Sequence, residues 1–380
     1  MKSRRYHPRT LHLSSITSTL PTPPPATSVR PGDPKSFFHV KALVSDAGLN
    51  GRRRGHYLGM GLVLLGLLGG TITGFILLGD SWLQLLMAGA LGILLTQFAF
   101  LAHEAAHRQI LSSAKTNDKL GRLLANGVVG ISYQWWMNKH NKHHATPNTV
   151  GKDPDIEWDT ISFQPADAQR QKGLLKWITE RQGYLFFPLL TLEGLNLHFQ
   201  SIKYLFVAKR VKNRSREITV IVLRVAIYLA LIFAFLPIGM AFAFIGVQLA
   251  VFGIYMGGSF APNHKGMPMV PNNMRIDFFS RQVLTSRNVM AKSRWGNELL
   301  SIIYGGLNYQ VEHHLFPSMP RANLAEVSRI VRAYCAEHQI TYTVASVRQS
   351  YAQVIRYLNK VGLSARDPFD CPMVSAYRQF

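Results

Sequence analysis

The chain of 380 residues carries 42 Lys and Arg against 20 Asp and Glu, a formal net charge of +22, yet 47% of it is hydrophobic. Only two cysteines occur, Cys335 and Cys371, which excludes a disulfide framework and a cysteine-based metal site and fits a reducing compartment. So basic a balance would ordinarily raise nucleic acid as a partner, but the placement of the charges along the chain argues for a membrane instead.

The first 30 residues hold no apolar core of the kind a cleavable secretory signal needs. Residues 1–56, with a stretch rich in Pro, Thr and Ser from Pro21 to Pro34 and Arg52-Arg53-Arg54 at the end, are expected to form a basic, mobile tail. Four stretches follow, 57–78, 83–102, 218–236 and 239–260, each approaching the about 20 apolar residues that cross a bilayer. Arg224 is the one Lys, Arg, Asp or Glu inside them, about two turns into the third, where it can snorkel toward the headgroups.

Of the basic residues, ten lie in 1–56, seventeen in 103–217 and fourteen in 261–380, and none in the turns 79–82 and 237–238. With the spans paired as two hairpins, every basic segment falls on one side, as the cytoplasmic face requires. Both termini are then cytoplasmic, and no nucleic-acid role is expected. Asp80-Ser81 makes a short external turn with Trp82 at the interface. Residues 184–200 are apolar too, but Pro188, Glu193 and His198 interrupt them. A crossing there would strand Lys209, Arg210, Lys212, Arg214 and Arg216 outside, so the stretch reads as a helix lying in the interface, with His198 packed or hydrogen-bonded.

Seven of the fourteen histidines fall into three short windows. His103 and His107 stand at i, i+4 just past the second span. His140, His143 and His144 share one helical face, and Gln310-Val311-Glu312-His313-His314 repeats that spacing with glutamine in the leading place. Three imidazoles within five residues do not serve a packed core, so the clusters read as a shared metal site. His264, a turn beyond the fourth span as His103 is beyond the second, joins as an eighth candidate. Near them, Trp135 and Trp136 read as interface anchors or a wall beside the metal, Asp153-Pro154-Asp155 as a turn, and Lys139, Lys142 and Lys152 as a solvated face ahead of a contact for an anionic headgroup or carrier.

The segment His103-Glu104-Ala105-Ala106-His107 also spells the zinc-protease pattern and half of a ferritin-like signature. The first leaves five clustered histidines unexplained. The second needs another Glu-x-x-His, which this chain does not have. Neutral imidazole suits Fe, Zn, Cu and Ni, but eight ligands exceed what one ion accepts, and a pair of irons can deliver electrons to dioxygen where a zinc pair cannot. The expected fold class is an all-α integral membrane protein, with four transmembrane helices in two hairpins and a helical cytoplasmic cap holding a histidine-ligated di-iron site. A membrane zinc hydrolase or a non-enzymatic metal-binding protein stands as the alternative from another class.

These windows resemble the three histidine boxes of the membrane fatty acid desaturase family. The opening glutamine and the run from Gly305 to Arg321 look like the linoleoyl-type or front-end branch, including actinobacterial acyl-CoA desaturases. The resemblance covers roughly 57–363, leaving 364–380 as a C-terminal tail. It implies a di-iron centre, held by the eight histidines, that uses O₂ to form a cis double bond in an acyl-CoA or acyl-lipid chain. A membrane di-iron hydroxylase remains the nearest alternative. His264 resembles the extra ligand that follows the fourth span in this family. Some members place a neutral side chain four residues earlier to hold water on iron; here that residue is Phe260, and Asn263 stands nearby. Front-end relatives commonly begin with a haem domain bearing His-Pro-Gly-Gly, whereas this chain has His7-Pro8-Arg9-Thr10. The resemblance therefore implies no fused haem domain and a separate electron donor, a ferredoxin or an iron-sulfur flavoprotein reductase.

Overall fold

The computed structural model describes residues 35–157 and 159–365. Its first element, α1 (Ser36–Asp46), lies inside the stretch expected to be a mobile tail. Val40 and Val44, one turn apart, are fully buried against Phe279, Val327 and Tyr334, so apolar burial ties this part of the stretch to the body. Residues 1–34 of that tail and the C-terminal residues 366–380 lie outside the described residues.

Among the described residues, four helices are long and apolar enough to cross a membrane: α2 (Arg54–Leu78), α3 (Gln84–Ala106), α9 (Arg214–Phe235) and α10 (Ile238–His264). Between them run α4 (Ala114–Arg122), a π-helical turn (Leu123–Val129), α5 (Tyr133–Ala145), α6 (Pro165–Arg170), α7 (Gly173–Thr179) and α8 (Gln182–Val207). After α10 come α11 (Phe278–Thr285), β1 (Asn288–Val289), α12 (Arg294–Ile303), α13 (Gln310–Leu315), α14 (Leu324–Glu337), β2 (Val344–Ala345) and α15 (Val347–Leu363). β1 and β2 form one parallel pair, Asn288 opposite Val344.

The spans pair as expected. Gly79, at φ +55°, turns the chain between α2 and α3, and Gln84 donates to the carbonyls of Phe75 and Gly79 to close that turn. Along α2 and α9, Leu58, Leu62, Leu65, Ile72, Leu77, Val222, Leu223 and Leu231 face outward, an apolar surface that lipid covers. The chain is an integral membrane protein with an all-α body. At their far ends α3 and α10 each run about one turn beyond the stretches expected to cross, and those turns carry His103 and His264.

α3 packs on α2 and α10, and α10 on α8. Two close crossings set these contacts. A side chain at Gly92 would meet the Gln248 carbonyl at 2.8 Å, and one at Gly253 would meet the Gly194 nitrogen and the Leu190 carbonyl at 2.4 Å. α8, the interrupted stretch, is one 26-residue helix laid against α10 and α15, and it is not among the four long apolar helices. His198 on it sets its two ring nitrogens 2.7 and 3.3 Å from the carbonyls of Gly194 and Val129. Arg224 reaches the π-helical turn itself, donating to the Val128 carbonyl at 3.1 Å.

Candidate metal centre and acyl cavity

Each histidine window sits at a helix end. Ser132 caps α5 by accepting from the Trp135 N–H, which sets the phase that turns His140, His143 and His144 inward. His107 is the C-cap of α3, and α13 delivers His313 and His314. The fold gathers all eight candidate histidines into two adjacent groups.

His103, His107, His140, His144 and His313 offer one ring nitrogen each, all within 4.8 Å of one another, and His143, His264 and His314 do the same. The Nε2 atoms of His103 and His140 are 3.1 Å apart, those of His107 and His140 2.8 Å. In the second group the His143–His264 and His264–His314 separations are 3.3 and 3.2 Å. The rings of His144 and His314, one from each group, stack at 4.2 Å and 10°.

Three of these four separations, 3.1 to 3.3 Å, match those of nitrogens sharing one ion, since metal–nitrogen bonds of about 2.1 Å at right-angled to tetrahedral geometry place neighbouring ligands about 3.0 to 3.4 Å apart. Tautomers strengthen the fit. His143 donates from Nδ1 to both Asp153 oxygens at 3.0 Å, and His264 from Nδ1 to the Thr285 carbonyl at 2.9 Å. Their Nε2 atoms are thereby turned toward each other at 3.3 Å, with the Gln310 amide nitrogen 2.9 Å from that of His264. His144 (both nitrogens), His313 (Nε2) and His103 (Nδ1) are buried without a partner, an arrangement costing about 1–3 kcal/mol per group unless a ligand takes it up. Burial holds His140, His144, His313 and His314 well below the ordinary imidazole range, so they are the neutral bases a metal requires. At His143 burial acts in the same sense, but Asp155 and Asp153 outweigh it and raise its pKa.

A small apolar cavity of about 50 Å³ has His103 in its lining. Ala99, Ala102, Ala125, Val129 and Met256 form its walls, and Trp136, stacked on His140 at 4.2 Å, closes the side next to the histidines. Of the two expectations for the tryptophan pair, Trp136 fulfils the wall.

An apolar cavity beside a histidine cage at a membrane helix end suits removal of hydrogen from a hydrocarbon chain, and sequence comparison agrees. Residues 80–346 match the family model described as fatty acid desaturase. The chain belongs to that family. Among curated proteins, the desaturase is 27% identical over 379 residues to Delta(8)-fatty-acid desaturase 2 of Arabidopsis thaliana, covering 95% of this chain and 78% of the relative. It is 31% identical to Delta(6)-fatty-acid desaturase fat-3 of Caenorhabditis elegans, covering 70% and 62%, and 27% identical to the acyl-lipid (9-3)-desaturase of Borago officinalis, covering 83% and 72%. It is a membrane fatty acid desaturase of the front-end type, in keeping with the glutamine that opens its third window.

The structure also disposes of the protease pattern in this desaturase. Glu104 is buried and paired with Arg321 at 2.9 Å, so its carboxylate is engaged away from the histidines. Several functional side chains carry no sequence signal of their own. Asp153 belongs to the expected turn, but its carboxylate stands behind His143 and also accepts from the N–H groups of Asn148 and Asp155 at 2.7 and 2.9 Å. Lys139, expected on a solvated face, pairs with Asp155 at 3.1 Å. Glu312 accepts from Asn288 and the Tyr342 hydroxyl, both at 2.7 Å, and burial pushes its pKa up to about 7. The π-helical turn that supplies Ala125 and Val129 is held from outside by Arg224 and His198, while the adjoining Ser132 donates from its N–H to Ser201 and from its hydroxyl to Glu217. No local repeat betrays such partners. A buried Asp nine residues past a histidine box becomes legible only once the intervening loop is seen to fold back.

Proposed function

We propose that this desaturase introduces a cis double bond toward the carboxyl end of a fatty acyl chain carried on CoA or on a lipid, with two irons held by His103, His107, His140, His143, His144, His264, His313 and His314. The observation that carries this reading is the convergence of all eight imidazoles, in two groups, beside an apolar cavity that His103 lines. Bound iron would supply the oxidising chemistry: one O₂, two electrons and two protons, with the two hydrogens taken from adjacent methylenes, leave as two waters and the new double bond. The chain's own residues do the rest. The cavity walls exclude water and hold successive methylenes beside His103 and Trp136, which fixes the position attacked. Asp153, Thr285 and Gln282 hold the outer ring nitrogens so that the inner ones face the metal.

The one-sided distribution of Lys and Arg supports a cell-membrane location with the histidines on the cytoplasmic face. A soluble donor, a ferredoxin or an iron-sulfur flavoprotein reductase, would deliver electrons there. His7-Pro8-Arg9-Thr10, which bears on a fused haem domain, lies outside the described residues.

Expression in a host lacking polyunsaturated fatty acids, fed defined acids, with the new bond located by mass spectrometry, tests the reading. An unsaturated product from the wild type and none from an inserted His143→Ala variant is the expected result. A hydroxylated product without an unsaturated one overturns it, as does stoichiometric zinc with no iron and no oxygen consumption.

A further inference from the structure

Behind the histidines lies one short segment that contains none of them, Gln282 to Asn288, joining α11 to β1. Gln282, Thr285, Arg287 and Asn288 are all fully buried. Each bonds to a helix that carries candidate ligands. The Thr285 carbonyl receives His264 Nδ1–H, and Asn288 accepts from the Val311 N–H while donating to Glu312, steadying the helix that carries His313 and His314. Arg287 caps the Pro262-containing end of α10: its N–H donates to the Asn263 carbonyl at 2.9 Å, its Nε to Pro262 at 2.8 Å and its Nη2 to Lys265 at 3.1 Å.

Gln282 does something the others do not. Its Nε2 donates to the carbonyl of His144 at 3.1 Å, and its Oε1 lies 2.9 Å from His314 Nδ1. The orientation of the amide follows from chemistry, because a carbonyl only accepts and so must meet the NH₂ end. That leaves an oxygen for His314, which is thereby fixed with its proton on Nδ1 and its lone pair on Nε2, 3.2 Å from His264 Nε2. His144 belongs to the five-histidine group and His314 to the three-histidine group.

We propose that Gln282 is a positioning residue that holds the two ligand groups in register, one amide fixing the tautomer of His314 and the end of α5 together. The proposal rests on the two-metal reading above and concerns metal binding directly, so it can be tested without turnover.

The experiment compares Gln282→Leu, Gln282→Glu and a control, Gln182→Leu, in the full-length membrane protein. Gln182 is equally buried and makes the same kind of bridge, donating to the carbonyls of Ser162 and Leu358 and accepting from the Ser162 N–H, but it ties α8 to α15 away from the histidines. Iron per protein is measured across buffered Fe(II) concentrations, with Mössbauer spectra and unfolding temperature in detergent. Gln282→Leu is expected to weaken iron binding about 10- to 100-fold and to perturb the spectrum of both ions. Gln282→Glu, which keeps the acceptor for His314 but opposes the His144 carbonyl, should recover part of the affinity. Gln182→Leu should lower the unfolding temperature and leave affinity and spectrum as in the wild type. Wild-type iron affinity and spectrum in Gln282→Leu would overturn the proposal, as would an equal loss of iron in Gln182→Leu. A wild type that takes up fewer than two ions would instead overturn the two-metal reading.

Discussion

Replacing Asp153 by Asn removes one charge and turns one acceptor into a donor, at a buried position with no spare room for either change. The two oxygens of Asp153 take His143 Nδ1–H, each at 3.0 Å, together with the N–H groups of Asn148 on Oδ2 and Asp155 on Oδ1. Burial works to raise its pKa, but His143 outweighs that and holds the carboxyl below its usual range, so the native group is ionised. In Asp153→Asn the new NH₂ must face the N–H of either Asn148 or Asp155, whichever way the amide turns. An opposed buried donor costs about 1–3 kcal/mol, and loss of the carboxylate behind a ligating histidine weakens metal binding about 10- to 100-fold. Asp155, 3.4 Å from His143 and partly exposed, is the comparison: Asp155→Asn should cost less than about 1 kcal/mol. Thermal unfolding in detergent and iron titration of both variants decide the matter. Equal iron affinity in Asp153→Asn and wild type, or a larger loss in Asp155→Asn, would refute the reasoning.

Other outcomes follow from the packing and the cage. Gly253→Ala places a methyl 2.4 Å from backbone atoms of α8, so the helices must part by roughly 1 Å, at about 1–3 kcal/mol; a lower unfolding temperature with reduced activity is expected, and unchanged stability would contradict the crossing. Ala125→Phe fills the cavity and should abolish product from long acyl chains while leaving iron per protein unchanged, as checked by gas chromatography beside elemental analysis. Chelation of iron should lower the unfolding temperature, because ions bound at a thousandfold excess over their dissociation constant stabilise by about 4 kcal/mol; Fe(II) should restore it and Mg²⁺, which prefers oxygen ligands, should not.

Much of this was legible in the residues alone. Uninterrupted apolar stretches and one-sided charge identify α2, α3, α9 and α10, and repeated i, i+3, i+4 spacing identifies the box histidines, because both signals are local and periodic. His264 is legible only by analogy with His103, as the residue a turn past a span. What escapes is everything that acts across the fold: α1, whose Val40 and Val44 look like part of a tail until Phe279 covers them; Asp153, which looks like a turn former; and Gln282, whose two partners lie 138 and 32 residues away along the chain.

The division of ligands between the two groups bears on how the protein matures. Residues 103–144 supply four of the five histidines of one group and one of the three of the other, and each group is completed only by α13, at His313 or His314. During synthesis all four apolar helices precede α13, so the chain can integrate into the bilayer before either cage exists. On the proposed two-iron reading, metallation would follow insertion into lipid, and a cell short of iron would accumulate inserted but empty enzyme that can be charged when the metal returns.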